Sequence, residues 1–260
     1  MKRSQRLFIL VCLLIFLYKG SSATSTAVAE FHSSFVYGYS ELGRDLICHR
    51  IGRPESTQSL LMVFGIHGFE DAFDHDGEVL KQIAEFMISH YTANTGELGN
   101  LCLYIVPCAN PDGLIDGTTH QGFGRCNANA IDVNRDFPFN WIESAIPRNQ
   151  TGETPFATAE SRAIRDLVET IHPTYGMDIH GWKEASYGNG DMAEVFAKPF
   201  RFEVKRLSTE GMLCAWLNSI TEEAILLELP PFPNFDDYVT QNSARLIEGV
   251  NAWAALRASR

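Results

Sequence analysis

Four apolar, β-rich runs, at residues 60–66, 101–107, 174–180 and 224–229, set the strongest constraint on this chain. A strand that is apolar on both faces must be covered on both, so these runs predict a sheet enclosed between helices rather than a half-exposed one. Segments of helical period lie at 77–91, 157–171, 205–218 and 236–258, and shorter strand candidates lie near 34–39 and 45–50. Asp236 and Asp237 supply a cap and first-turn charge for the last helix, directly after the loop from Pro230 to Pro233. No repeat, low-complexity tract or long linker interrupts the pattern. The alternation predicts one α/β domain, a class in which ligands gather beyond the carboxyl ends of strands.

The polar residues at the ends of these runs therefore matter. The first run leads into His67 and, three residues on, Glu70. A turn containing Gly68 can aim both side chains at one point, and imidazole nitrogen with carboxylate oxygen suits Zn²⁺. The third run ends in His180, and the fourth holds one carboxylate, Glu228, in an otherwise apolar strand. A lone histidine at a strand end is usually a hydrogen-bonded structural residue, but three such coincidences in one domain point to a site. His75, in Asp74-His75-Asp76, opens a helical pattern where such residues cap or face solvent, and is left out of the ligand set. His32, His49, His90, His120 and His172 have no partner at useful spacing.

With these residues stand Asn110-Pro111-Asp112-Gly113, Arg125 and Asp132-Val133-Asn134-Arg135-Asp136. In this order, across residues 60 to 230, they make the chain resemble the zinc metallocarboxypeptidases of the carboxypeptidase A type, most of all their small secreted bacterial branch, which trims γ-glutamyl-linked murein peptides. The resemblance implies a mixed, twisted sheet of about eight strands covered by helices on both faces. It also implies one zinc ion held by His67, Glu70 and His180, with a fourth position open to water. Glu228 would be the general base for the zinc-activated water, and Arg125 would stabilise the oxyanion. Asn134 and Arg135 would hold the terminal carboxylate of a peptide substrate, and Asp132 would orient the first histidine from behind. Asn110 to Gly113 reads as an architectural turn, and Trp182 as either a cleft wall or core packing.

One departure stands out. Family members with carboxypeptidase activity carry a tyrosine on a mobile loop upstream of the catalytic glutamate, and Arg206 to Leu213 contains none. Tyr187 and Tyr238 are the candidates to replace it, while Glu210 would suit a substrate with an amino group. Two other activities fit part of the pattern: a zinc N-acyl-amino-acid deacylase of related fold, and a non-catalytic peptide-binding homologue. The Asn110 to Gly113 turn and the leader favour the peptidase over the first, and the intact Glu228 over the second.

The 260 residues suffice for a substantial core. Lys2, Arg3 and Arg6 ahead of an apolar run from Leu7 to Tyr18 have the form of a secretory signal peptide, with Ser21-Ser22-Ala23 suited to cleavage after Ala23. This assigns 1–23 to the signal and 24–260 to a single catalytic domain, a monomer that is secreted or periplasmic and keeps no stable membrane span. The net charge of −11 argues against a nucleic-acid partner. Beyond Cys12, five cysteines remain, so at least one thiol stays unpaired. Cys102 and Cys108 read as core residues, and no CxxC spacing supports a structural zinc site.

Overall fold

A computed structural model of the chain describes residues 31–207, 210–231 and 235–259. The expected signal segment, 1–23, lies outside the described residues, as does the side chain of Asp236. The described residues form nine strands: β1 (His32–Tyr39), β2 (Asp45–Ile51), β3 (Gln58–Phe64), β4 (Leu101–Val106), β5 (Thr119–Cys126), β6 (Tyr175–Gly181), β7 (Ala185–Tyr187), β8 (Glu203–Lys205) and β9 (Glu223–Leu229). The helices are α1 (Gly77–Ala93), α2 (Pro111–Asp116), α3 (Ala159–Ile171), α4 (Asp191–Ala197), α5 (Leu213–Ile220) and α6 (Phe235–Ala258). Eight strands form one mixed sheet in the order β1-β2-β4-β3-β6-β9-β7-β8, and β5 lies outside it. The four central strands, β4, β3, β6 and β9, run parallel, and β2 and β7 join them antiparallel.

Alternation along the central strands divides the core in two. Leu60, Met62 and Phe64 of β3 face one side, with Met177, Ile179, Ile225 and Leu227, and pack under α1 and α6. Leu61 and Val63 face the other, where Ile164 and Leu167 of α3 and Trp216 and Leu217 of α5 cover them. Each fully buried side chain of this kind contributes about 1.5–3 kcal/mol relative to exposure, so the doubly apolar strands are the main stabilising element. Both faces are helix-covered, as the apolar runs predict.

Among the parallel strands taken in chain order, β3 is followed by β4 on one side of it, and β6 by β9 on the other. The order of connection thus reverses between β3 and β6, which opens a crevice at their carboxyl ends. Gly68 lets the chain enter it, since a Cβ there would lie 2.2 Å from the Gly113 carbonyl carbon. Asn110 caps α2 through its Oδ1, 2.9 Å from the Gly113 N–H, with Pro111 in the first turn, and so holds that close neighbour in place. This is the architectural part that the motif predicts.

The expected helix at 205–218 is corrected. Its first residues belong to β8 and a loop, and α5 begins only at Leu213. Gly211 sits at φ +65° with its N–H on the Phe139 carbonyl and its own carbonyl accepting from Phe137, a conformation no helix can pass through. Cys48, Cys102, Cys108, Cys126 and Cys214 are all free thiols. Among the described residues no helix is long and apolar enough to cross a membrane.

Candidate active site

His67, Glu70 and His180 meet beyond β3 and at the end of β6, with one ligand atom of each within 4.8 Å of the others and all three side chains buried. Glu70 Oε1 lies 3.1 Å from His180 Nδ1, yet it is misaligned for a hydrogen bond and has no other partner. A buried carboxylate oxygen left so is costly, and a cation between it and two imidazoles would satisfy it. Two histidines and one carboxylate, with room in front, suit an open catalytic zinc site rather than a closed structural one.

Each of the three is fixed from behind. His67 Nδ1 lies 3.2 Å from the Arg125 carbonyl and 3.7 Å from Asp132 Oδ1, which leaves Nε2 for a metal. Asp132 Oδ1 also accepts from the Asn134 N–H at 2.9 Å, and Oδ2 has no hydrogen bond. His180 Nε2 lies 2.9 Å from Asp178 Oδ1, two residues back on the same face of β6, which leaves Nδ1 for the metal. Glu70 is held through its backbone: its N–H donates to Asp76, whose other oxygen accepts from the Ala72 N–H at 2.8 Å and from Trp182 Nε1 at 2.9 Å.

Burial, helped by the Arg125 and His180 charges, holds the His67 imidazole well below its ordinary range, against a weaker opposing bond to the Arg125 carbonyl. The shift favours the neutral ring, the form that can donate a lone pair to a metal. Burial acts the same way on His180, but the Asp178 and Glu70 carboxylates override it and raise this histidine well above its ordinary value. Glu70 is pushed up to about 7 by burial, against the attraction of His180 and Arg125.

A cavity of about 350 Å³ joins this cluster to Arg125, Arg135 and Glu228. Glu228 pairs in register with His180 across β6 and β9. It is 5% exposed, its Oε2 has no partner, and its Oε1 lies 3.4 Å from Lys183 Nζ. Such a carboxylate, poorly satisfied and facing the candidate metal position, can take up and return a proton. Arg125, at the end of β5, donates from Nε to the Arg148 carbonyl at 3.2 Å and faces Asp71 and Asp132 at 3.8 Å. Burial opposes its charge, but Asp132, Glu70 and Asp71 outweigh it and raise the guanidinium above its usual value.

Asn134 and Arg135 both line the cavity, but differently. The Asn134 Nδ2 donates to Asp178 Oδ2 at 3.1 Å and lies 3.0 Å from His180 Nε2, while its Oδ1 accepts from the Leu213 N–H at 2.8 Å. Its amide is thus engaged behind His180. Arg135 is half-exposed, with one N–H on the Asn134 carbonyl at 2.7 Å. Asp136 pins this segment by accepting from Thr158 and Ser161 at the start of α3.

Among the described residues, no tyrosine lines the cavity. Tyr238 is buried and donates to the Pro230 carbonyl at 2.5 Å, and Tyr187 packs beside Met212 and Leu226. Trp182 serves both roles expected of it, lining the cavity and packing edge-on against Tyr238. Glu210 lies in a neighbouring cavity of about 320 Å³ that meets the first at Arg135. His75 lies against the Phe69 ring, outside the cluster.

Sequence reasoning did not single out Asp178 or Asp76. The first has a legible signal, since Asp178 and His180 are two apart on a strand and must share a face. Asp76 reads as a helix cap, and only the folded turn shows its side chain reaching back to Glu70 and Ala72.

A family model described as zinc carboxypeptidase matches residues 22–212. Bacteriocin BCN5 of Clostridium perfringens is 36% identical over 225 residues, covering 82% of this chain, which spans only 25% of that protein. Murein peptide amidase A of Escherichia coli K12 is 26% identical over 216 residues, covering 75% of this chain and 80% of that protein. The crystal structure of carboxypeptidase A from Helicoverpa armigera superposes with a TM-score of 0.74 at 21% identity, covering 90% of this chain and 71% of that one, which shows a shared fold.

Proposed function

Since the chain belongs to the zinc carboxypeptidase family, we propose that it is a secreted, single-domain carboxypeptidase that holds one zinc ion through His67, Glu70 and His180 and hydrolyses a C-terminal amide bond of cell-wall peptides. The observation that carries this reading is the convergence of the three buried ligand groups with Glu228, Arg125 and Arg135 around one cavity. The likeness to murein peptide amidase A, over most of that protein's length, supports peptidoglycan peptides as the substrate class.

Zinc, when bound, supplies Lewis-acid polarisation and makes water acidic enough to attack near neutral pH. The chain's own groups do the rest. Glu228 takes the proton of the attacking water on its unpartnered Oε2 and delivers it to the leaving amine nitrogen. Arg125, pinned by Arg148, Asp71 and Asp132, donates to the oxygen that becomes negative, without having to reorganise. Arg135 pairs with the terminal carboxylate. Asn134 adds to that clamp through the main-chain carbonyl that steadies Arg135, while its side chain supports Asp178. Trp182 gives the cleft an apolar wall.

Glu228→Gln is expected to keep stoichiometric zinc while turnover falls by about 10²–10⁴-fold; undiminished turnover removes Glu228 from the mechanism. The substrate class is tested by digesting a mixed library of peptides, murein peptides and acylated single amino acids, read by mass spectrometry. Cleavage of the acylated amino acids alone would make the protein a deacylase.

A further inference from the structure

Of the three buried groups proposed to hold the metal, Glu70 is the one oriented through its main chain. His67 and His180 are each set by a contact to one ring nitrogen, whereas the Glu70 N–H donates to Asp76. The turn that joins Glu70 to α1 is also strained. Asp71 and His75 lie in the left-handed region at φ +79° and +58°. Residues other than glycine adopt that conformation at a cost, and keep it only where the surroundings impose it.

Asp76 is placed to impose it. The residue stands immediately before α1, where an aspartate ordinarily caps the helix, yet its side chain makes no cap hydrogen bond. The carboxylate is wholly buried and reaches back over the turn instead. One oxygen accepts from the Glu70 N–H, and the other from the Ala72 N–H at 2.8 Å and from Trp182 Nε1 at 2.9 Å. The next residue closes the same turn from its far end. The Gly77 N–H donates to the Gly68 carbonyl at 3.1 Å, and a Cβ on Gly77 would lie 2.7 Å from the His67 carbonyl oxygen. Trp182 belongs to another part of the chain, two residues beyond His180, and lines the cavity. One buried carboxylate therefore holds both the main chain of a proposed ligand and a wall of the cavity. Its three donors are neutral N–H groups, and the loss of any one leaves a buried charge short of a partner.

We propose that Asp76 is a positioning residue that ties Glu70 to Trp182, so that the cavity wall and the metal-binding carboxylate are set as one unit. The inference rests on the proposed zinc ligands. Asp76 acts through Glu70 and belongs neither to the ligand set nor to the cavity lining. A carboxylate is needed there because both of its oxygens accept. An asparagine amide offers an oxygen on one side and an NH₂ group on the other, so in either orientation it sets an N–H against an N–H. Trp182 enters the link by its indole N–H rather than by its bulk, and a phenylalanine in its place keeps an aromatic wall while dropping the bond.

The test measures the zinc affinity of the purified full chain by competition with a chelator, for wild type, Asp76→Asn, Trp182→Phe and the double variant, with circular dichroism of each as the check on folding. Asp76→Asn is expected to bind zinc about 10–100-fold more weakly. Trp182→Phe, although no ligand is removed, should bind it about threefold more weakly. The double variant should match Asp76→Asn, because the indole bond acts only through that carboxylate. A role confined to holding the start of α1 would leave the affinity of Trp182→Phe at the wild-type value. That result overturns the link, as does a folded Asp76→Asn with wild-type affinity, or a double variant weaker than Asp76→Asn by the full Trp182 factor. If Asp76→Asn does not fold, Trp182→Phe decides alone: weakened binding upholds the link and wild-type binding overturns it. A wild type that takes up no zinc overturns the ligand assignment itself, and the proposed function with it.

Discussion

His67 and His180 present ring nitrogens to the same point, but one stands on the turn after β3 with a peptide carbonyl behind it, and the other lies within β6 with the Asp178 carboxylate behind it. Their electrostatics diverge accordingly. Burial depresses His67, with Arg125 adding to the effect, whereas on His180 two carboxylates reverse the effect of burial. Both rings are almost wholly buried, so exposure does not separate them. The group behind each ring fixes which nitrogen is left to face a cation.

That contrast can be broken at three levels on the proposed ligand assignment. Removing either ring has the largest effect: His67→Ala and His180→Ala are each expected to lose stoichiometric zinc, measured by metal analysis after dialysis, and a variant that retains one zinc per chain leaves the ligand set. Asp178→Asn keeps both rings but takes the charge from behind His180. Zinc affinity should fall by roughly 10–100-fold in competition with a chelator. Asp132→Asn should cost less, under about tenfold, because the Arg125 carbonyl still fixes His67 Nδ1. Equal losses in the two asparagine variants would show that the carboxylates support the two histidines alike, and the comparison would fail.

The long central strands were legible, and the candidate site residues at their ends share one cause with them. A strand apolar on both faces is buried and parallel, so whatever polar residue ends it lies in the crevice; His67, His180 and Glu228 are such residues. Regions without a period were not legible. β7 and β8 are three residues each, too short to alternate detectably, and they occupy the sheet edge. The stretch before α5 has apolar residues at helical spacing, yet Gly211 turns there in a left-handed conformation. Asn134 shows a different limit. Its place beside Arg135 suggests a substrate contact, but a side-chain amide goes where buried acceptors are, and Asp178 is 44 positions away in sequence. Arg148 was silent for the same reason, since its partners Asp71 and Arg125 come to it only through the fold.

The parallel pairing of β3, β6 and β9 has a consequence for how the protein is made. Leu60 pairs with Tyr175, and Tyr175 with Glu223, so the contacts that bring Glu70, His180 and Glu228 together close loops of well over a hundred residues in all. Such pairings come late and slowly, because chain entropy is lost before any contact rewards it. Ligands carried on separate strands cannot gather in a half-folded chain. On the proposed ligand assignment, metal content would therefore record completed folding: a chain caught before β6 enters the sheet would have the residues for zinc but nowhere to put it.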